Sequence, residues 1–187
     1  MQEELDLFIE EANEQMGKAI SHLESELLKI RAGKATPNIV DGLVVDYYGS
    51  PTPINQVGNV SVADSRTLTI QPWEKNMLQP IERSIIAANI GITPQNDGNM
   101  IRLFLPPLTE ERRKELVKRA LGEGEQSKVA IRSIRREAME QVKKLQKNGL
   151  SEDIGKDAEE KIQGTTDKYI ALVDKLLATK EKEIMTV

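Results

Sequence analysis

The sequence predicts an α+β protein: an antiparallel three-helix bundle with a small α/β sandwich module inserted between its first and second helices. Four observations carry this. Apolar residues recur in steps of three and four from Leu5 to Ile30. The period changes to two in several short runs between Leu43 and Leu105. Helical periodicity then returns from Thr109 to Lys147, a stretch that holds six of the ten arginines. A last helical stripe follows after only a short Asn-Gly turn.

At 187 residues, with 3% aromatic and 30% charged content, the chain is long enough for one large or two small domains and leans toward helical packing. It has no cysteine, which removes disulfides, thiolate metal sites and cysteine catalysis. His22 is its only histidine, so neither a histidine metal site nor a catalytic dyad is expected. An acidic start (Glu3, Glu4, Asp6) fits neither a signal nor a transit peptide. The charge-free run 84–96 contains Asn89, Pro94 and Gln95 and is too short and polar for a membrane span. The expectation is a cytoplasmic protein that does not enter the membrane.

Net charge −4 hides a strong asymmetry. Residues 1–30 carry −6, 31–105 are neutral, 106–147 carry +5 and 148–187 carry −3. A basic segment lies between acidic ones.

In the first helix, residues 3 to about 31, the seam is Leu5, Ile9, Ala12, Met16, Ala19 or Ile20, Leu23, Leu27 and Ile30. Gly33 suits a helix C-terminal cap and Pro37 forbids continuation. Between 32 and 105 the pattern predicts at least four strands (within 43–48, 57–63, 66–71 and 100–105) and one helix over 76–89 with Pro80 in its first turn. Pro106 and Pro107 stiffen the exit from this module. Thr109 reads as an N-cap with Glu110 and Glu111 behind it, while Gly122 and Gly124 weaken the helix near its middle. Gly149 fits a left-handed cap, with Leu150 as its hydrophobic partner. The last helix carries Ala158, Ile162, Tyr169, Leu172 or Val173, Leu176 and Ile184 on its stripe. The short link at 148–151 makes the second and third long helices antiparallel, and no stripe is wide enough to stand alone. The domains are therefore 1–31 with 106–187 (bundle) and 32–105 (insert).

On a helical wheel with Ile131 at zero, Ile134, Ala138, Val142 and Leu145 fall within roughly 60° and form the buried seam. Arg132, Arg136, Lys143 and Lys147 lie roughly 100–160° away on one flank, and Glu115, Glu123, Glu137 and Glu140 on the other. Interhelical ion pairing and an external anionic partner both explain such a face. For Arg113 and Arg135, near the seam, the two readings balance. For Arg132 and Arg136 an external partner is favoured, because exposed ion pairs contribute only ~0–1 kcal/mol and give no reason to choose arginine. The guanidinium fork matches phosphate bidentately. The other two long helices hold eight lysines and no arginine. Gly122-Glu123-Gly124 lies inside a helix and makes no phosphate loop. Asp41, Asp46 and Asp64 read as scattered solvated acids, one or both of Tyr47 and Tyr48 as core, and Trp73 as a packing anchor. No catalytic constellation, metal site or cofactor site is expected.

Several motifs together resemble ribosome recycling factor: Arg31-Ala32-Gly33-Lys34-Ala35-Thr36-Pro37, Tyr47-Tyr48-Gly49-Ser50-Pro51-Thr52-Pro53, Asp64-Ser65-Arg66-Thr67-Leu68, the run Pro106 to Lys114, and Val129 to Arg136. The match covers essentially the whole chain in order. Two departures stand out: Lys34 occupies a position that is often arginine, and Gly124 one more often alanine. The resemblance implies an L-shaped, tRNA-like, two-domain monomer that binds the post-termination ribosome. It further implies that elongation factor G, hydrolysing GTP, drives the insert so that the subunits separate. The protein itself would catalyse no bond chemistry and take no small-molecule substrate. By motif position, Arg113, Arg132, Arg135 and Arg136 would contact the rRNA of the large ribosomal subunit, joined by Lys128 and by Arg31 close to the hinge. Ala32, Gly33, Leu105, Pro106 and Pro107 would form the hinge. Two other classes stay open on the residues alone: a nucleic-acid-binding module of another pathway, and a helical adaptor whose basic face docks an acidic protein.

Overall fold

A computed structural model describes residues 1–186. Its helices are α1 (Gln2–Lys29), α2 (Leu78–Ala87), α3 (Glu110–Lys147) and α4 (Glu152–Met185), and its strands are β1 (Val44–Tyr47), β2 (Ser50–Pro53), β3 (Gly58–Asp64), β4 (Thr67–Pro72), β5 (Pro94–Asn96) and β6 (Ile101–Phe104). The chain divides into two compact units: Met1–Ala32 with everything from Glu110 onward, and Gly33–Thr109. The fold class is α+β, a three-helix bundle with a small mixed unit inserted.

In the bundle, Leu5 and Ala12 of α1 share one cluster with Ala138, Val142 and Leu145 of α3 and with Ala158 and Ile162 of α4. The start of α1 therefore meets the end of α3 and the start of α4, which makes α1 antiparallel to α3 and parallel to α4. The seam of α1 is as its periodicity predicts, with Ile20 rather than Ala19 buried and Ile9 only half-buried. In α4, Leu177 and not Leu176 is buried, along with Gly155, Thr166 and Lys180. Tyr169 stays half-buried, its hydroxyl donating to Asn13 Oδ1 at 3.0 Å.

The α3–α4 turn follows from the sequence almost atom by atom. Gly149 has φ +107°, Gly149 N–H donates to Gln146 O at 3.1 Å and Leu150 N–H to Leu145 O at 2.9 Å. These are the two bonds of a Schellman motif, with buried Leu150 as its hydrophobic contact. Ser151 precedes α4 without a side-chain cap bond, so Glu152 and Asp153 supply the favourable charge at that terminus.

Two expectations about glycine need correction. Helix α1 ends at Lys29, before Gly33 is reached, because Ile30 turns extended (φ −84°, ψ 102°) while its side chain stays buried. Gly33 is nonetheless left-handed (φ +75°), and a Cβ there would stand 2.9 Å from Leu108 Cγ. Likewise, Gly124 does not loosen α3, which runs unbroken from Glu110 to Lys147. It is buried against α4, where a Cβ would meet Leu177 Cδ1 at 2.3 Å.

The insert has six strands, and every ladder is antiparallel. Four form one sheet in the order β3-β4-β6-β5, and β1 and β2 form a hairpin. Leu68 and Ile70 of β4 lie opposite Leu103 and Ile101 of β6, and with Ile81 and Ile85 of α2 all six are fully buried. Strands β2 and β5 contain Pro51, Pro53 and Pro94 and escape a propensity reading; both are edge strands, where a missing N–H is tolerated. The β1–β2 turn holds Tyr48 at φ 50° and Gly49 at φ 85°, the two left-handed residues of a type I′ hairpin. Trp73 is 70% exposed and anchors no core: β4 ends at Pro72, and Trp73 sits at the rim of a groove beside Pro53, Ile54 and Val60.

Both passages between the units are tied to one turn. Ala35 N–H donates to Ser65 O and Leu105 N–H to Arg66 O, each at 2.8 Å. Asp64 shapes that turn by accepting the Arg66 N–H at 2.9 Å, a bond that holds its carboxyl below the usual range. Leu105, expected in the hinge, lies in the insert's core, and 106–109 group with the insert.

The two glycines of α3 separate packing from propensity. Gly124→Ala is expected to destabilise the protein by about 1–3 kcal/mol through overpacking against Leu177. Gly122→Ala, with no atom near its Cβ, should stabilise it by up to about 1 kcal/mol. Chemical denaturation of the two variants checks both signs; equal effects would show that Leu177 does not set the α3–α4 spacing.

Candidate nucleic-acid interface

Once Ile131, Ala138, Val142 and Leu145 are buried, the geometry of an α-helix decides what their neighbours present. Lys128, Arg132 and Arg135 recur at i, i+4 and i+7, and Arg136 stands beside them, so four cations share two turns of α3. Lys143 and Lys147 continue the exposed flank.

These four cations differ in their surroundings. Arg132 and Arg136 are exposed and have no hydrogen-bond or ion-pair partner among the described residues. Arg135 is half-buried. Its Nη1 donates to Gln163 Oε1 at 2.9 Å, and Gln163 Nε2 in turn donates to Asp167 Oδ1 at 2.8 Å. Its Nε is buried with no partner among the described residues. Because the Gln163 amide is neutral, the guanidinium is held in place while its charge stays uncancelled. Lys128 is held by a charge instead, its Nζ 2.6 Å from Asp174 Oδ1 and 3.8 Å from Glu125 Oε1.

The remaining expected contacts lie elsewhere. Arg113 precedes Arg132 by 19 positions, about 28 Å along the helix. It is half-buried, and its Nη1 donates to Met185 O at 3.3 Å, in the last turn of α4. There it satisfies a carbonyl that a helix end leaves open. Arg31 follows the end of α1 and is exposed. Arg112, at the start of α3, pairs with Glu115 at 2.9 Å. The six positions thus fall into one compact group, 128–136, and two outliers.

A sequence profile described as "Ribosome recycling factor" matches residues 23–185. The chain belongs to the ribosome recycling factor family. Relatives described as ribosome-recycling factor include one from Flavobacterium johnsoniae, 54% identical over 187 residues and covering all of both chains. Another, from Caldicellulosiruptor bescii, is 54% identical over 180 residues, 96% of this chain and 98% of the relative. A solution structure of a ribosome recycling factor superposes with a TM-score of 0.81 at 42% identity, covering 98% of each chain. A second matched structure describes the T. thermophilus ribosome recycling factor and the E. coli elongation factor G bound to the E. coli post-termination complex. Its TM-score is 0.64 at 43% identity, with 97% of this chain and 99% of that chain covered.

Within this family frame, the residues the sequence reading missed are Gln163, Asp167 and Asp174. Each lies on α4, more than 25 positions from the cation it serves, and nothing local in the sequence marks it. No described helix is long and apolar enough to cross a membrane.

This division of roles is open to a stability test. Arg132→Ala and Arg136→Ala should leave unfolding free energy within about ±0.5 kcal/mol, as expected for exposed, unpartnered side chains. Arg135→Ala should cost about 1–2 kcal/mol through the lost Gln163 bond and stem packing. Denaturant titration of the three variants checks this, and a stable Arg135→Ala would free that residue from any role in the bundle.

Proposed function

We propose that this protein is a translation factor that binds the post-termination ribosome and, together with elongation factor G and that partner's GTP hydrolysis, separates the subunits for reuse. The bundle anchors it through large-subunit rRNA, and the inserted unit serves as the moving arm facing the elongation factor. The factor makes and breaks no covalent bond, needs no cofactor or metal, and acts as a cytoplasmic monomer. The turning points are 32–33 and the Pro106-Pro107 stretch.

One observation carries the rRNA assignment: Arg132 and Arg136 point their charge away from every described intramolecular partner, in a family member one of whose relatives is described on a post-termination complex. Two guanidiniums one helical step apart suit neighbouring phosphate oxygens, with Arg135 held alongside by Gln163. Arg113 and Arg31, outside this group, join the assignment by motif position alone. Lys128 contributes a point charge.

Co-sedimentation with isolated large subunits tests the reading. Wild-type binding should weaken steeply with salt. Arg132→Ala/Arg136→Ala should lose on the order of tenfold in affinity for each arginine, with its fold intact. Equal binding by both proteins would remove the arginine assignment, and no binding at any salt would sink the ribosomal one. In a light-scattering assay of ribosome splitting with elongation factor G and GTP, Pro106→Gly/Pro107→Gly should slow splitting more than it weakens subunit binding. An unchanged rate would exclude the prolines from the hinge.

A further inference from the structure

We infer that Asp174 governs the affinity of the α3 surface by holding Lys128 in the free protein, in the place that an RNA phosphate takes on binding; this rests on the rRNA-facing reading and deepens it. The Lys128 side chain is only 16% exposed, whereas that of Asp174 is 59% exposed. The lysine stem therefore lies along the bundle and brings its ammonium to a carboxylate that stands in water. A carboxylate oxygen 2.6 Å from Nζ meets the same donors a phosphate oxygen would.

The neighbouring cations make the contrast. Arg135 is tied to a neutral amide, and Arg132 and Arg136 have no described partner. Of the four cations at 128–136, only Lys128 is neutralised from another helix. Glu125, 3.8 Å away on its own helix, is a weaker second claim on the same ammonium. When phosphate replaces Asp174, the freed carboxylate gathers a cation as the phosphate sheds one. Lys128 then adds almost nothing to the salt dependence of binding. With Asp174 neutral, Lys128 meets phosphate at no such exchange, and the contact appears in full.

The test uses the full chain and isolated large ribosomal subunits, sedimented together over a salt series. Four proteins are compared: wild type, Asp174→Asn, Lys128→Gln and the double variant. Asp174→Asn should bind about two- to fivefold more tightly, the range released by removing an exposed pair. Its plot of log affinity against log salt should steepen by about 0.7–0.9. Both changes should vanish in the Lys128→Gln background, which separates release of Lys128 from a general gain of positive charge. Unchanged binding by Asp174→Asn, or equal tightening in both backgrounds, overturns the role of Asp174. If instead wild type shows no salt-sensitive binding, or Arg132→Ala/Arg136→Ala binds like wild type, the rRNA-facing reading itself falls. Matching thermal melts of the four proteins show that the comparison concerns folded chains.

Discussion

Three long helices, each with an apolar stripe too narrow to shelter it alone, impose the constraint on which the bundle depends. A helix of 28, 34 or 38 residues gains most of its stability from tertiary packing rather than from propensity. Each must therefore lie along both others. At Gly124 the missing side chain lets Leu177 of α4 sit where a Cβ would be. The packing of α3 on α4 also brings Gln163 and Asp174 within reach of Arg135 and Lys128.

From this follows the unequal treatment of the arginines. Position on the helix, not residue type, separates those that serve the bundle from those that face outward. Arg113 and Arg135 lie close to the seam and spend donors on Met185 O and Gln163. Arg132 and Arg136 lie one step further round and keep theirs. A buried Nε on Arg135 without a described partner is an energetic penalty, since desolvated donors normally find acceptors. A half-buried, oriented guanidinium is also a preorganised one, which loses less entropy when it meets a phosphate.

The insert is organised by a short motif rather than by its core alone. Asp64 bonds the Arg66 amide, and the turn so formed offers the carbonyls of Ser65 and Arg66 to Ala35 and Leu105. The chain enters and leaves the unit at the same place. Asp64, which looks like a scattered acid in the sequence, shapes the turn to which both passages are tied.

Much of the architecture was legible before any coordinates. The seam from Leu5 to Ile30, the period-two runs, the Gly149 turn and the antiparallel link all follow from spacing and backbone preference, which are local properties. The family was legible too, because its motifs fall in order along the whole chain. What stayed hidden was non-local or concealed by proline: strands β2 and β5, whose residues disfavour strands; Trp73, whose exposure depends on where β4 stops; and the meaning of Gly33 and Gly124, each decided by a leucine far away in sequence. The sequence by itself determined which helix would carry the positive charge and which of its faces would be buried, since a period of 3.6 leaves no choice. Only the tertiary structure decided which cations remain free, because their competitors sit on a neighbouring helix that no local pattern connects to them.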